Sequence, residues 1–365
     1  MKVKKSLRVG TLFSGIGAFE QALKQMKIPH AIVFACDNGE RYLDETYESI
    51  MDETKGMSHS EREQYVDRLY EQTGKRNFVR ESYEANYRKM GDDWHNDVRF
   101  MSGTEYAGRV DIVVGGSPCQ SFSVIGRRAG LEDVRGTLFY DYARIIRECS
   151  PQVFIFENVP GMLSHDQGRT WKVIKEVFES LDYNVQYSVL DAKDFGIPQH
   201  RKRLFVVGFK DKTAPFEFPK PRRLTSTMFD YLEDEVAVEH YLGQKGFEFV
   251  TDPTHPNRSK VNCDIIKTQK ANQQFNWNGD FVFEPLDEHR HTEEILKRAY
   301  VGEWHDQKGV ARKLTNRECL RLMGFADSFK IVVPPVQAYR QAGNSIVVNV
   351  LKEIVKNILK ALDEK

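Results

Sequence analysis

An apolar run, LRVGTLF, is interrupted by SGIG, continues with helical spacing in AFEQALKQM, and returns as a second apolar run, AIVFAC, that stops at Asp37. Strand, glycine turn, helix, strand and acid in that order leave few folds open. Parallel strands need a helical crossover, and ligands collect at the carboxyl ends of the strands. The rhythm continues downstream: VDIVVGG, QVFIFEN and RLFVVGF read as strands, with GTLFYDYARIIREC and TWKVIKEVFESL as amphipathic helices between them. The expected fold is therefore α/β, with a Rossmann-like, doubly wound sheet.

Two stretches break the alternation. Residues from about 51 to 100 are charged and helical in pattern (SEREQYVDRLYEQ) and read as an insertion between early sheet units. Residues 219–310 open on PKPRR and hold turn-rich and aromatic pieces such as TDPTHPNRSK and ANQQFNWNGDFVFEP, which suggests a smaller, irregular domain. Residues 1–218 and 311–365 then form the main domain. In its last part, Thr315 and Glu318 make a capping box at the start of KLTNRECLRLMGF. NSIVVNVLKEIVKNILKAL reads as a long amphipathic helix with Asn344 and Ser345 at its start, in N-cap position.

The first turn, Phe13-Ser14-Gly15-Ile16-Gly17, carries half of a dinucleotide fingerprint, a pattern that a simple tight turn also explains. Asp37 follows Gly17 by 20 residues (37 minus 17), at the end of the next strand, where an acid accepts both hydroxyls of a ribose. A further glycine to seat a pyrophosphate is missing. An adenosine ligand without phosphates, such as S-adenosylmethionine, fits better than a nicotinamide dinucleotide.

GGSPCQSFS places Cys119 after a proline, in a small-residue loop directly behind the strand DIVV. Proline holds Ser117 extended. A thiolate is a strong nucleophile once its site lowers the thiol pKa. The other four cysteines, Cys36, Cys149, Cys263 and Cys319, read as small buried hydrophobes. The absence of a C-x-x-C pair in the chain argues against a zinc knuckle, a redox pair or a disulfide framework, and no metal is expected. Glu157 ends the strand VFIFE. A carboxyl that projects into a closed pocket can stay protonated and donate, although a lone strand-end acid more often forms a salt bridge or a cap. In QHRKRLFVV, Arg201 and Arg203 alternate and so share a strand face, able to clamp an oxygen or simply to guard a sheet edge.

Formal net charge is zero over 365 residues, so a nucleic-acid partner would have to be met by local positive patches. The start, MKVKKSLRVG, has no apolar signal core behind its lysines, and no apolar run reaches the length of a membrane span. A cytoplasmic protein with reduced thiols is expected.

TLFSGIGAFE, GGSPCQSFS, FENVPG, QHRKRLF, LTNRECLRLMGF and GNSIVV occur in this order. Together they resemble the DNA cytosine-5 methyltransferases of bacteria and phages, over residues 8–37, 92–210 and 311–360. The resemblance implies an S-adenosylmethionine-dependent methyltransferase sheet, with residues 219–310 as target recognition domain and double-stranded DNA as partner. It also implies a flipped-out target base, a monomeric enzyme in a bacterial cytosol or phage-infected host, and a cognate restriction endonuclease acting independently.

By that resemblance Cys119 is the nucleophile at carbon 6 of cytosine and Glu157 the acid at ring nitrogen 3. Arg201 and Arg203 hold the base's carbonyl oxygen and orient Glu157. Phe13 stacks on adenine, Asp37 holds the ribose, and Asp97 contacts the adenine amino group. Ser14, Gly15, Ile16, Gly17, Val98, Pro118, Leu138, Asn344 and Ser345 complete the cofactor pocket. The segment SFSVIGRRAGLEDVRGT is the loop that closes on the base, with Gln120, Ser123, Arg127, Arg128 and Arg135 reaching the DNA. Within the recognition domain Asn272, Gln273 and Gln274 are the candidate base readers, a role that ordinary loop polarity competes with. The threonine-rich stretch that closes this domain in many family members has no clean copy before KGVARKLTNREC.

Other readings stay open on sequence alone. A tRNA cytosine-5 methyltransferase shares the motifs, although its usual second Cys-Phe-Thr motif is missing. A catalytically dead DNA-binding homologue is disfavoured by the intact Cys119, Glu157 and arginine pair. A nicotinamide-dependent oxidoreductase is disfavoured by the missing third glycine.

Overall fold

The computed structural model describes residues 6–117, 138–254, 260–272 and 277–363. Two compact units divide the chain: residues 1–190, 202–219 and 352–365 form the first, and residues 191–201 and 220–351 the second.

Among the described residues the first unit holds seven strands: β1 (Leu7–Leu12), β2 (His30–Cys36), β3 (Trp94–His95), β4 (Ile112–Gly115), β5 (Val153–Asn158), β6 (Asn184–Asp191) and β7 (Lys202–Phe209). Their order in the sheet is β3-β2-β1-β4-β5-β7-β6. Five of them run parallel from β3 to β5, and β7 is antiparallel to β5. The chain builds outward from β1 to β3, then crosses back to β4 on the other side of β1. That reversal leaves a crevice beyond the ends of β1 and β4, which is where open sheets bind ligands. The glycine turn, Asp37 and the segment Gly116-Ser117 all leave strands there.

The core follows from the helix periodicity. In α5 (Leu138–Cys149) the buried positions are Phe139, Tyr142, Ala143, Ile145, Ile146 and Cys149, a single helical face. It packs with Ile174 and Phe178 of α6 (Arg169–Ser180) on Phe154 and Phe156 of β5 and Leu204 and Val206 of β7. The Phe178 ring lies 5.0 Å from Phe154 and 5.3 Å from Phe139. Truncating such a buried ring to alanine costs roughly 3–5 kcal/mol.

The remaining helices of this unit are α1 (Ala18–Gln25), α2 (Tyr47–Glu53), α3 (His59–Gln72) and α4 (Phe78–Asn86). The last three span most of the stretch read as an insertion, with shifted limits: α2 starts at Tyr47, and Trp94 and His95 pair with β2 and so belong to the sheet. Ser58 caps α3 in a reciprocal box with Glu61.

The second unit corrects the expectation of an irregular module. It contains a four-stranded sheet in the order β10-β11-β9-β8, built from β8 (Lys260–Val261), β9 (Asp280–Pro285), β10 (Gly302–Trp304) and β11 (Gln307–Lys313). Two of these strands are two or three residues long, and the interior of β9 is buried on both faces, so neither alternation nor length marks them. The β10–β11 hairpin turns at His305 and Asp306, both with positive φ (48° and 58°). The limit expected at residue 310 falls inside β11, whose ladder with β9 spans Gly309 to Lys313.

The second unit also holds α7 (Gln244–Thr251), α8 (Glu293–Arg298), α9 (Asn316–Arg321) and α10 (Pro335–Asn344). The expected capping box at Thr315 and Glu318 is present. Asn344 and Ser345, expected at a helix start, instead close α10 as its last residue and C-cap; α11 begins three residues later (Val348–Asp363). Among the described residues no helix is long and apolar enough to cross a membrane.

Candidate active site

The turn after β1 is held by side chains that the motif itself supplies. Phe13, Gly15 and Gly17 all take positive φ (52°, 53° and 75°), and Gly17 serves as the N-cap residue of α1. Ser14 bridges to β2: its amide donates to the Cys36 carbonyl (3.1 Å), and its hydroxyl accepts from the Cys36 amide (3.0 Å). The Asp37 carboxylate closes the turn, accepting from Gly15 N–H at 2.9 Å and Gly39 N–H at 2.8 Å. Burial raises the Asp37 pKa, and those two amide bonds oppose the rise. Each oxygen takes one of the two amides and keeps capacity for a second donor. A Cβ on Gly15 would meet nothing within 4 Å, so the turn borders open space. Phe13, Val98 and Leu138 pack into one apolar cluster. This turn thus carries an aromatic ring and a partly buried carboxylate, next to an apolar core to which Val98 and Leu138 also belong.

Asp97 is engaged by its own turn and by α3. Oδ1 accepts from the Arg99 amide (3.1 Å) and Nε (2.9 Å); Oδ2 accepts from Tyr70 Oη (2.9 Å) and Arg99 Nη2 (2.6 Å). Four donors fill roughly four lone-pair sites. In this structure Asp97 fixes the 97–100 turn.

Glu157 is ion-paired with Arg203, Nε to Oε1 at 3.0 Å, each side chain less than a fifth exposed. The pair forms because β7 runs antiparallel beside β5, with Glu157 opposite Phe205. Glu157 is therefore held by a guanidinium, the salt bridge weighed for a strand-end acid, with Arg203 as the partner that the resemblance implied. The cysteine loop is rooted against the same acid. A Cβ on Gly116 would sit 2.6 Å from the Glu157 carbonyl oxygen and 2.9 Å from Oε2, so only glycine fits. The Asn158 amide donates to the Ser117 carbonyl at 2.9 Å, two residues before Cys119. Asn158 is a site residue that the sequence reading passed over, although it stands inside FENVPG.

The arginine pair divides. Arg201 precedes β7, lies in the second unit and is buried. Its Nη1 donates to the Gln269 carbonyl (2.8 Å), and its Nη2 to those of Gly343 (2.9 Å) and Ser345 (2.7 Å). It braces backbone within its own unit, where it was expected to share a strand face with Arg203. Gly343 is glycine because backbone at 270–271 would lie 2.4 Å from a Cβ.

Cys119 lies outside the described residues, as do Pro118, Gln120, Ser123, Arg127, Arg128, Arg135, Gln273 and Gln274. Three of the other cysteines behave as core; Cys263, expected to be buried as well, is only partly so. Cys36, Cys149 and Cys319 are buried. Burial pushes the Cys149 thiol up to about 12 and those of Cys36 and Cys319 well above the ordinary value. At neutral pH these three carry almost no thiolate.

Comparison with known proteins gives one consistent answer. Residues 56–360 match the family described as C-5 cytosine-specific DNA methylase. The Type II methyltransferase M.SsoII of Shigella sonnei is 38% identical over 294 residues, 78% of this chain and 72% of that protein. M.HhaI of Haemophilus parahaemolyticus is 35% identical over 296 residues, 79% of this chain and 86% of that protein. Among solved structures, the S. pombe Dnmt2 methyltransferase superposes with a TM-score of 0.66 at 19% identity, covering 98% of this chain and all of that one. At that identity the likeness concerns the fold.

Proposed function

The chain belongs to the family of C-5 cytosine-specific DNA methylases, and from that premise we propose how its residues share the transfer of a methyl group from S-adenosylmethionine to carbon 5 of cytosine in DNA. The sulfonium supplies the methyl group. Asp37 holds the ribose hydroxyls with the acceptor capacity left beside Gly15 and Gly39, and Phe13, Val98 and Leu138 form the apolar slot for adenine. Asp97 shapes that slot through the 97–100 turn.

Cys119 adds through its thiolate to carbon 6 of the flipped cytosine. Electron density moves into the ring, Glu157 protonates or hydrogen-bonds nitrogen 3, and carbon 5 becomes nucleophilic enough to take the methyl group. Loss of the carbon 5 proton to a base then expels the thiolate and restores the ring. Arg203 orients Glu157. Arg201 contributes at one remove, through the backbone it braces. The single observation that carries this reading is the packing of Gly116 on Glu157: it sets the root of the Cys119 loop against the acid, with no room for a side chain between them.

The second unit, residues 219–310 above all, is proposed to read the target sequence. Pro118, Asn344 and Ser345 border the cofactor. Gln120, Ser123, Arg127, Arg128 and Arg135 contact DNA, and Gln273 and Gln274 contact base edges. The enzyme works as a cytoplasmic monomer and protects DNA from an endonuclease that acts separately. Bisulfite sequencing of DNA from a host expressing the chain tests the function: protected cytosines should recur in one short sequence and vanish with Cys119→Ser. Protection that persists in the Cys119→Ser host would remove the thiol from the mechanism.

A further inference from the structure

The insertion between β2 and β3 has one helical face aimed at the candidate cofactor site. Glu63, Asp67 and Tyr70 of α3, spaced i, i+4 and i+7, meet three consecutive residues. Glu63 pairs with His95 Nδ1, Asp67 accepts from Asn96 Nδ2 at 2.8 Å, and Tyr70 donates to Asp97 at 2.9 Å. Arg41 completes the seam, with Nη2 on Asn96 Oδ1 at 2.6 Å and its guanidinium 4.7 Å from the centre of the Tyr70 ring. Burial and the neighbouring Asp97 push the Tyr70 phenol well above its ordinary pKa, so it remains a donor.

The same insertion reaches two further corners of the site. Asn77 serves both sides of its own peptide: its Oδ1 caps α4 by accepting from Arg80 N–H (3.0 Å), and its Nδ2 donates to the Asp37 carbonyl (3.0 Å). It also explains Gly39, where a Cβ would lie 2.2 Å from Asn77 Oδ1. Just beyond α4, Tyr87 donates to the Ile16 carbonyl at 3.1 Å and to that of Gly17, and its ring fills the place of a Cβ on Gly17.

We propose that the insertion is a cofactor-site buttress, with Tyr70, Asn77 and Tyr87 as positioning residues that hold the Asp97 turn, Asp37 and the glycine turn in register for S-adenosylmethionine. This rests on the placement of the cofactor proposed above. It assigns the insertion to the cofactor and not to target-sequence reading.

Two variants of the full-length enzyme test it. Asn77→Asp keeps the α4 cap, because a carboxylate still accepts from Arg80, but it loses the donor to Asp37. Tyr70→Phe keeps the buried ring and loses only the hydroxyl. Each should raise the KM for S-adenosylmethionine about three- to tenfold. Saturated kcat, the KM for DNA and the methylated sequence should stay within about twofold of the parent, as expected when a hydrogen bond that positions the site without touching the cofactor is lost.

An unchanged KM for the cofactor in both folded variants, or a change in target sequence instead, overturns the proposal. Should Asn77→Asp fail to fold, Tyr70→Phe decides alone. Asp37→Ala separates the two levels. If calorimetry shows its affinity for S-adenosylmethionine unchanged, the cofactor placement is wrong. If affinity falls while the two insertion variants bind normally, only the buttress is wrong.

Discussion

Arg203→Ala removes the ion pair proposed to orient Glu157 as the acid. In the parent, Arg203 Nε meets Glu157 Oε1 at 3.0 Å, and the side chains are 17% and 15% exposed. Deleting the guanidinium leaves Glu157 at the end of β5 with its backbone unmoved, because that position is fixed by the β5–β7 ladder and by Gly116. The loss is therefore one of orientation and charge at the moment nitrogen 3 takes up density. A charge-assisted hydrogen bond is worth about 1.5–3 kcal/mol. At 1.36 kcal/mol per tenfold, that is roughly a 10- to 150-fold fall in kcat. Single-turnover transfer of labelled methyl groups to DNA measures it, with calorimetry for the cofactor and thermal melting as controls. Cofactor affinity should hold, and Arg203→Lys should recover part of the rate. Because the two residues act as a unit, Arg203→Ala combined with Glu157→Gln should cost little more than Glu157→Gln alone. A kcat within twofold of the parent, or two losses that multiply, would refute the orienting role.

Three further outcomes follow from buried groups. Gly116→Ala forces a Cβ to within 2.6 Å of the Glu157 carbonyl; it should lower stability by about 1–3 kcal/mol and kcat by more than about tenfold, read by melting and single turnover. Arg312, fully buried between Glu284 (2.6 Å) and Glu318 (2.9 Å), anchors the second unit. Burial works against the Glu284 carboxylate, but Arg312, His291 and Arg290 outweigh it and hold its pKa below the ordinary value. Arg312→Met strands two buried carboxylates and should cost about 3–5 kcal/mol in urea unfolding. Asp280 is pushed up to about 7 by burial, against an ordinary 3.8. A raised folded-state pKa means that stability is full below about 4 and falls as pH rises through about 7. Asp280→Asn should therefore melt close to the parent at pH 4 and gain on it steadily by pH 8, by on the order of 2 kcal/mol, within the ~4 kcal/mol that three units allow. An offset independent of pH would exclude a buried titrating carboxyl there.

What the sequence disclosed and what it hid divide along the range of the interactions. The glycine turn, Asp37 and the Thr315 capping box depend on neighbours a few residues away or on one crossover, and each is visible as spacing. The direction of β7 is not, because RLFVVGF reads the same in either orientation; yet it is the antiparallel run that sets Arg203 beside Glu157. Alternation put Arg201 and Arg203 on one face, but the strand begins at Lys202, and Arg201 belongs to the bend before it. Asn344-Ser345 before an apolar run looks like a helix start only until PVQAYRQAGN is seen to be a helix that they end. The face of α3 bearing Glu63, Asp67 and Tyr70 is polar and reads as solvated. Its partners lie 27–32 residues away, and no local pattern could announce them.

Covalent capture at the target base tests the mechanism most directly. DNA carrying 5-fluorocytosine in the methylated sequence accepts the thiolate at carbon 6 and the methyl group at carbon 5, but fluorine cannot leave as a cation, so the final elimination stalls. With S-adenosylmethionine present, the parent enzyme should migrate with the DNA on a denaturing gel, and the adduct peptide should contain Cys119. Cys119→Ser should still bind both partners and give no adduct. An enzyme that methylates ordinary cytosine in that sequence yet forms no adduct with the fluorinated DNA would contradict nucleophilic catalysis by Cys119.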